Sequence, residues 1–115
     1  MYKVYFEESF FEGLNSFVLS MKNYYSNFYS NTGIYDVDKI VELYFEKYEK
    51  MKTDILNEIN SICENGIIGR KVTYSFDKIE NCSFLFRYGN YKIFFTAIKN
   101  NVKDEIIVDS LKIEI

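Results

Sequence analysis

At 115 residues, with 48% apolar and 27% charged residues, the chain has the size and composition of one globular domain able to bury a core without metals or disulfides. It contains no His, which excludes Ser-His-Asp and Cys-His catalysis and His-ligated zinc, and its 5 Gly are dispersed, which excludes a phosphate-cradling loop, so no cofactor or metal is expected. A net charge of −3 excludes a strongly basic nucleic-acid binder.

The charge is unevenly divided. Residues 1–65 carry 6 Lys against 11 Asp plus Glu, a balance of −5; residues 66–115 carry 8 Lys plus Arg against 6 Asp plus Glu, a balance of +2. Any polyanion-binding face therefore belongs to the second half and is weak. The 11 Tyr and 11 Phe, in a chain with no Trp and no Pro, fit an AT-rich coding sequence more simply than a function. Cys63 and Cys82 lack C-x-x-C spacing and read as buried free thiols of a cytoplasmic protein. The opening residues lack the apolar core of a secretion signal, and no stretch approaches membrane-spanning length, so no membrane association is expected.

In chain order, residues 2–6 form a β-branched and aromatic run that predicts a first strand within 1–6. Ser9 with Glu12 makes an S-x-x-E capping box for a helix over 8–30. Phe10, Leu14, Phe17, Met21, Tyr24 and Phe28 then recur at steps of three and four, with Phe11, Val18 and Tyr25 widening the stripe. Gly13 costs that helix about 1 kcal/mol relative to Ala, which points to another backbone passing close by. Asn31-Thr32-Gly33 breaks the pattern, and Asp36 or Asp38 caps a second helix over 38–64. Its stripe is the clearest periodic signal in the chain: Ile40, Tyr44, Tyr48, Met51, Ile55, Ile59 and Ile62. Asn65-Gly66 stops it.

From residue 70 the period changes to two. Runs at 71–76, 83–88, 91–99 and 105–113 predict an antiparallel meander over 70–115, with Gly89-Asn90 as a two-residue hairpin loop and Asn100-Asn101 as the next turn. The whole chain, 1–115, thus reads as a single α+β domain: an N-terminal strand, a long helical hairpin, then a meander whose apolar face the helices cover.

The residues able to carry chemistry are basic and aromatic: Arg70, Lys71, Arg87, Tyr88, Tyr91, Lys92 and Lys112. Arg87 and Lys92 are the catalytic candidates, able to hold a scissile phosphate; Arg70, Lys71, Tyr88, Tyr91 and Lys112 are the binding candidates, the rings stacking on bases. The plainer account makes them exposed ends of a half-buried sheet. Strand alternation puts Phe84, Phe86 and Tyr88 on one face and Ser83, Leu85 and Arg87 on the other. If the first face lies under the helices, Arg87 joins Lys92 in a small basic patch; if it is open, it is an aromatic binding surface.

The stretch Cys82-Ser83-Phe84-Leu85-Phe86-Arg87-Tyr88-Gly89-Asn90-Tyr91-Lys92-Ile93-Phe94-Phe95 resembles the hairpin of the RelE/ParE toxin superfamily, in which a strand ending in a basic residue passes through Gly-x-Tyr-Arg into the next. Here Gly89-Asn90-Tyr91-Lys92 carries the match, with Lys for Arg, and the order of elements is similar too. The resemblance implies a bacterial toxin held by an antitoxin protein, acting on DNA gyrase or on ribosome-bound mRNA. Phe84 and Phe86 stand where nuclease members carry cations, and Lys112 alone remains of a basic closing strand. The first expectation is therefore a toxin that binds a host protein such as gyrase. The alternatives are a ribosome-dependent, metal-independent mRNA endoribonuclease using Arg87 and Lys92, with weak RNA affinity, and a small acidic phage or mobile-element protein that inhibits a host defence complex.

Overall fold

The computed structural model describes residues 1–30 and 37–115; of residues 29, 30, 37, 38, 40 and 41 only the backbone is described. The predicted Asn31-Thr32-Gly33 break and the capping side chains of Asp36 and Asp38 lie outside the described residues. The elements run β1 (Lys3–Phe6), α1 (Glu8–Ser30), α2 (Val37–Glu64), β2 (Lys71–Phe76), β3 (Ile79–Tyr88), β4 (Tyr91–Asn100) and β5 (Glu105–Glu114). This is the expected α+β arrangement. Strands β2 to β5 form the antiparallel meander, and β1 joins β5 in parallel, giving the order β1-β5-β4-β3-β2. Among the described residues no helix is long and apolar enough to cross a membrane.

The helical hairpin covers one face of the sheet. On α2 the apolar period is met from Tyr48 on by burial of Tyr48, Met51, Ile55 and Ile59, with Ile62 half-buried; the Ile40 side chain lies outside the described residues. They meet Ile93 and Phe95 of β4 and Ile106 and Val108 of β5 in one core. The α1 stripe departs from its predicted path. Phe10, Leu14 and Val18 are buried, but further along the helix Tyr24 and Phe28 are exposed and Tyr25 turns inward, its ring stacked at 4.1 Å on Tyr44. A straight stripe drawn at steps of three and four drifts off the face that its partner helix covers.

Anchoring of α1 also differs from the capping-box expectation. Ser9 lies inside the first turn, and its hydroxyl donates to the Asp109 carbonyl at 2.5 Å. The residue before the helix is Glu7, whose N–H donates to the Val108 carbonyl at 2.9 Å and whose own carbonyl accepts from Phe10 N–H at 3.1 Å. The helix start is therefore fastened to β5 by tertiary bonds that no local motif encodes. Four residues on, the close approach inferred for Gly13 is present: a Cβ there would sit 2.9 Å from the Leu111 carbonyl oxygen of β5. Helix propensity favours Ala over Gly by about 1 kcal/mol, but overpacking against backbone costs about 1–3 kcal/mol. Gly13→Ala is expected to be destabilising on balance, by up to about 2 kcal/mol in urea denaturation. A more stable variant would show that β5 yields freely at this crossing.

Helix α2 ends as expected at Asn65-Gly66. Gly66 takes φ +87°, its N–H donates to the Cys63 carbonyl, and Ile67 N–H reaches the Ile62 carbonyl, both at 2.9 Å. These are the paired bonds of a Schellman stop. The buried Lys99 of β4 adds a charge there, its Nζ donating to the Gly66 carbonyl at 2.9 Å and lying 4.8 Å from the Tyr2 ring centre. A cation at a helix C-terminus is favourable.

The β3 strand begins at Ile79, earlier than the predicted residue 83, because Asp77 and Lys78 make a turn with φ +48° and +69°. Two successive positive φ values are what a type I′ hairpin loop requires. Without Gly or Asn, that loop had no sequence signature.

Candidate functional site

Hairpin geometry decides which residues face outward. The Gly89-Asn90 loop, with φ +57° at Gly89, places Tyr88 opposite Tyr91 and Arg87 opposite Lys92. Phe84, Phe86, Tyr88 and Tyr91 turn toward the helices, and Leu85, Arg87, Lys92 and Phe94 turn away from them. The sheet face away from the helices is open.

That face is organised in cross-strand rows. Arg87, Lys92 and Glu114 form one row, and Leu85, Phe94 and Lys112 the next. Leu85, Lys92, Phe94, Lys112 and Glu114 line a shallow groove of about 390 Å³. Leu85 is 58% exposed and Phe94 38%, so the centre of the groove is apolar and wet. A third row holds Ser83, Thr96 and Ser110; Thr96 donates to the Asp109 carboxylate at 2.5 Å and its hydroxyl also meets that of Ser110. The open face therefore grades from a cationic end through an apolar centre to a hydroxyl and carboxylate end.

The two catalytic candidates are brought together, since Arg87 and Lys92 are direct cross-strand neighbours. Like charges so placed repel, and neither enters an ion pair among the described residues. Lys112 lies one row away and is engaged with Glu114 at 2.8 Å. That bond raises the Lys112 pKa and, with a smaller contribution from Lys92, lowers that of Glu114.

The remaining candidates are placed elsewhere. Tyr88 donates to the Asp54 carboxylate of α2 at 2.6 Å, and this bond, then burial, raises its pKa. The Tyr91 hydroxyl lies 3.1 Å from that of Tyr48, and its ring packs edge-on against Phe17 at 5.6 Å. Both rings thus join the sheet to the helices, on the opposite side from Arg87 and Lys92. Arg70 grips the Glu80 carboxylate through Nε and Nη2, each at 2.7 Å, and Lys71 stands exposed at the start of β2. Leu85 and Phe94, the centre of the open face, were not among the sequence candidates. Their alternation was readable, but not which side the helices would cover.

Among the described residues no group of His, Cys, Asp and Glu is arranged to hold a metal ion. No protein-family model matches the chain, and neither a curated protein nor a solved structure shows significant similarity to it.

Proposed function

We propose that the chain is a toxin-type protein of a RelE/ParE-like toxin–antitoxin pair that acts by binding a host protein such as DNA gyrase on the open face of its sheet. The observation that carries this reading is the make-up of that face. Its centre, Leu85 and Phe94, is apolar and exposed, while Tyr88 and Tyr91, the rings a nuclease would need for stacking on bases, are half-buried on the opposite face and hydrogen-bonded to α2. Exposed apolar side chains ringed by a few charges are the usual make-up of a protein-binding centre. An antitoxin segment laid over the same groove would keep the host protein out. The second reading, a ribosome-dependent mRNA endoribonuclease, draws on the Arg87–Lys92 juxtaposition. With so few free cations, RNA affinity is expected to be weak and to fade steeply with salt.

Two double variants separate these readings, each first checked for a native circular dichroism spectrum. In cells expressing the chain without a partner, Leu85→Ser with Phe94→Ser is expected to relieve growth arrest, with message intact throughout. Arg87→Ala with Lys92→Ala is expected to leave most of the arrest in place. Codon-phased mRNA cleavage, abolished by the cationic pair alone, would replace protein binding with nuclease chemistry.

A further inference from the structure

The edge of the sheet beside α2 has a gap in it. Lys71 of β2 pairs with Ser83, and beyond that β3 continues to Tyr88 with β4 as its one strand neighbour among the described residues. The chain has left the line of β2 by Gly69, where a Cβ would lie 3.8 Å from the Phe84 ring. Residues 85–88 therefore form a free edge.

The hairpin loops give the phase of that edge. A two-residue loop closes on a pair that exchanges both backbone hydrogen bonds, and such pairs alternate along an antiparallel ladder. Tyr88↔Tyr91 is the closing pair, so Tyr88, Phe86 and Phe84 direct their N–H and C=O toward β4. Those of Leu85 and Arg87 point outward. The Asp77-Lys78 hairpin gives the same phase from its other end: Phe76↔Ile79 closes it, so Ile79 and Asn81 turn toward β2, and Leu85 and Arg87 continue their series with no strand opposite. No other hydrogen bond within the described residues takes up these four backbone groups.

Helix α2 walls the gap on one side. Asp54, Asn57 and Glu58 line a cleft of about 500 Å³ with Phe86, Arg87 and Tyr88. Among the described residues neither carboxylate is in an ion pair, and Asp54 accepts from the Tyr88 hydroxyl. The spacing suits a strand. Four helical residues rise about 6 Å and two strand residues about 6.7 Å, so alternate side chains of an added strand have nearly the spacing of Asp54 and Glu58.

We infer that this gap is a site for antiparallel addition of an extended partner strand with Lys or Arg at alternate positions. Its backbone pairs with Leu85 and Arg87, and its cations face Asp54 and Glu58. The intervening side chains fall beside Leu85 on the open face, where apolar residues fit. Main-chain bonds supply affinity and alternate side chains supply specificity, as in other edge-strand recognition. The inference does not depend on what the open face binds, and its test involves no cellular effect.

The test is amide exchange by NMR on the full chain, with three short blocked peptides as probes. One alternates Lys and Val, one is the same peptide N-methylated on its Val amides, and one alternates Glu and Val. In the free chain the Leu85 and Arg87 amides are expected to exchange fast and those of Phe84 and Phe86 slowly. The Lys–Val peptide should slow Leu85 and Arg87 by about tenfold or more, and the methylated peptide should not, because Val opposite Leu85 must present its N–H to the edge. Glu58→Lys, at an exposed position, should shift preference to the Glu–Val peptide. Absence of protection at millimolar Lys–Val peptide, or equal protection by the methylated form, overturns the proposal. So does protection already present in the free chain and rising with its concentration, which would mean that a second copy fills the edge.

Discussion

Ile59→Ala is expected to lower the unfolding free energy by about 2–5 kcal/mol, and Ile55→Ala by a similar amount. Both side chains have no exposure to solvent, and they lie one turn apart on the face of α2 that meets the sheet. Removing three carbons at either site forfeits their transfer out of water and leaves a cavity that closes only in part. Native stability of domains this size is about 5–15 kcal/mol, so one such change consumes a large fraction of it. The control sits on the same helix: Leu43 is 61% exposed, and Leu43→Ala should stay within about 0.5 kcal/mol. Equal losses at Leu43 and Ile59 in urea titrations would mean that α2 is seated on a different face.

Stability is also expected to fall as pH rises above 9. Burial pushes the Cys63 thiol from its ordinary 9.0 up to about 12, with the nearby Cys82 adding to the shift. In the unfolded chain this thiol loses its proton near 9, while the folded chain holds it until about 12. Across that window the unfolded state carries fewer protons, so unfolding becomes easier by up to about 1.4 kcal/mol per pH unit for this one group. Below the unfolded value both states hold the proton, and the contribution is fully present. Cys82 is raised in the same direction, mainly by burial. Above pH 10 Tyr48 adds to the loss, its hydroxyl raised first by burial and then by its bonds to Tyr25 and Tyr91. Cys63→Ala with Cys82→Ala should flatten the slope between pH 9 and 10 and leave a residual fall above it. An unchanged slope in the double variant would show that neither thiol is the cause. Both thiols are free and buried, so at pH 8 an alkylating reagent should modify them only in denaturant.

Much of the fold is written in local pattern. The strict period of α2, its Asn65-Gly66 stop and the Gly89-Asn90 hairpin follow from side-chain spacing and from the freedom of Gly at positive φ, and each is present. What local pattern left open depends on contacts distant in sequence. The first turn of α1 is fixed by carbonyls of β5, which made the Ser9-x-x-Glu12 signature misleading. Lys99 reads as a surface cation until the end of α2 is seen to abut it. The candidate site divides in the same way. Arg87 and Lys92 could be paired from loop length alone, but alternation cannot say which side of β3 the helices cover. That alternation already set Tyr88 apart from Arg87, and the structure shows that it is the Tyr88 and Tyr91 face that meets the helices. Asp54 and Glu58 gave no signal of a shared cleft, since nothing local ties the middle of α2 to the end of β3.

The parallel pairing of β1 with β5 has a consequence in time. Lys3 lies opposite Glu105, and Phe6 opposite Val108, so the two strands are neighbours in space and about 100 residues apart in order of synthesis. At about 5–20 residues per second, β1 is synthesised roughly 5–20 seconds before the strand it pairs with. The helical hairpin, held by nearer contacts, can form in that interval. The half-apolar β1, with Val4 and Phe6 due to be covered by core, must wait. Closure of the β1–β5 edge therefore waits on the synthesis of β5, whatever else of the fold has formed by then.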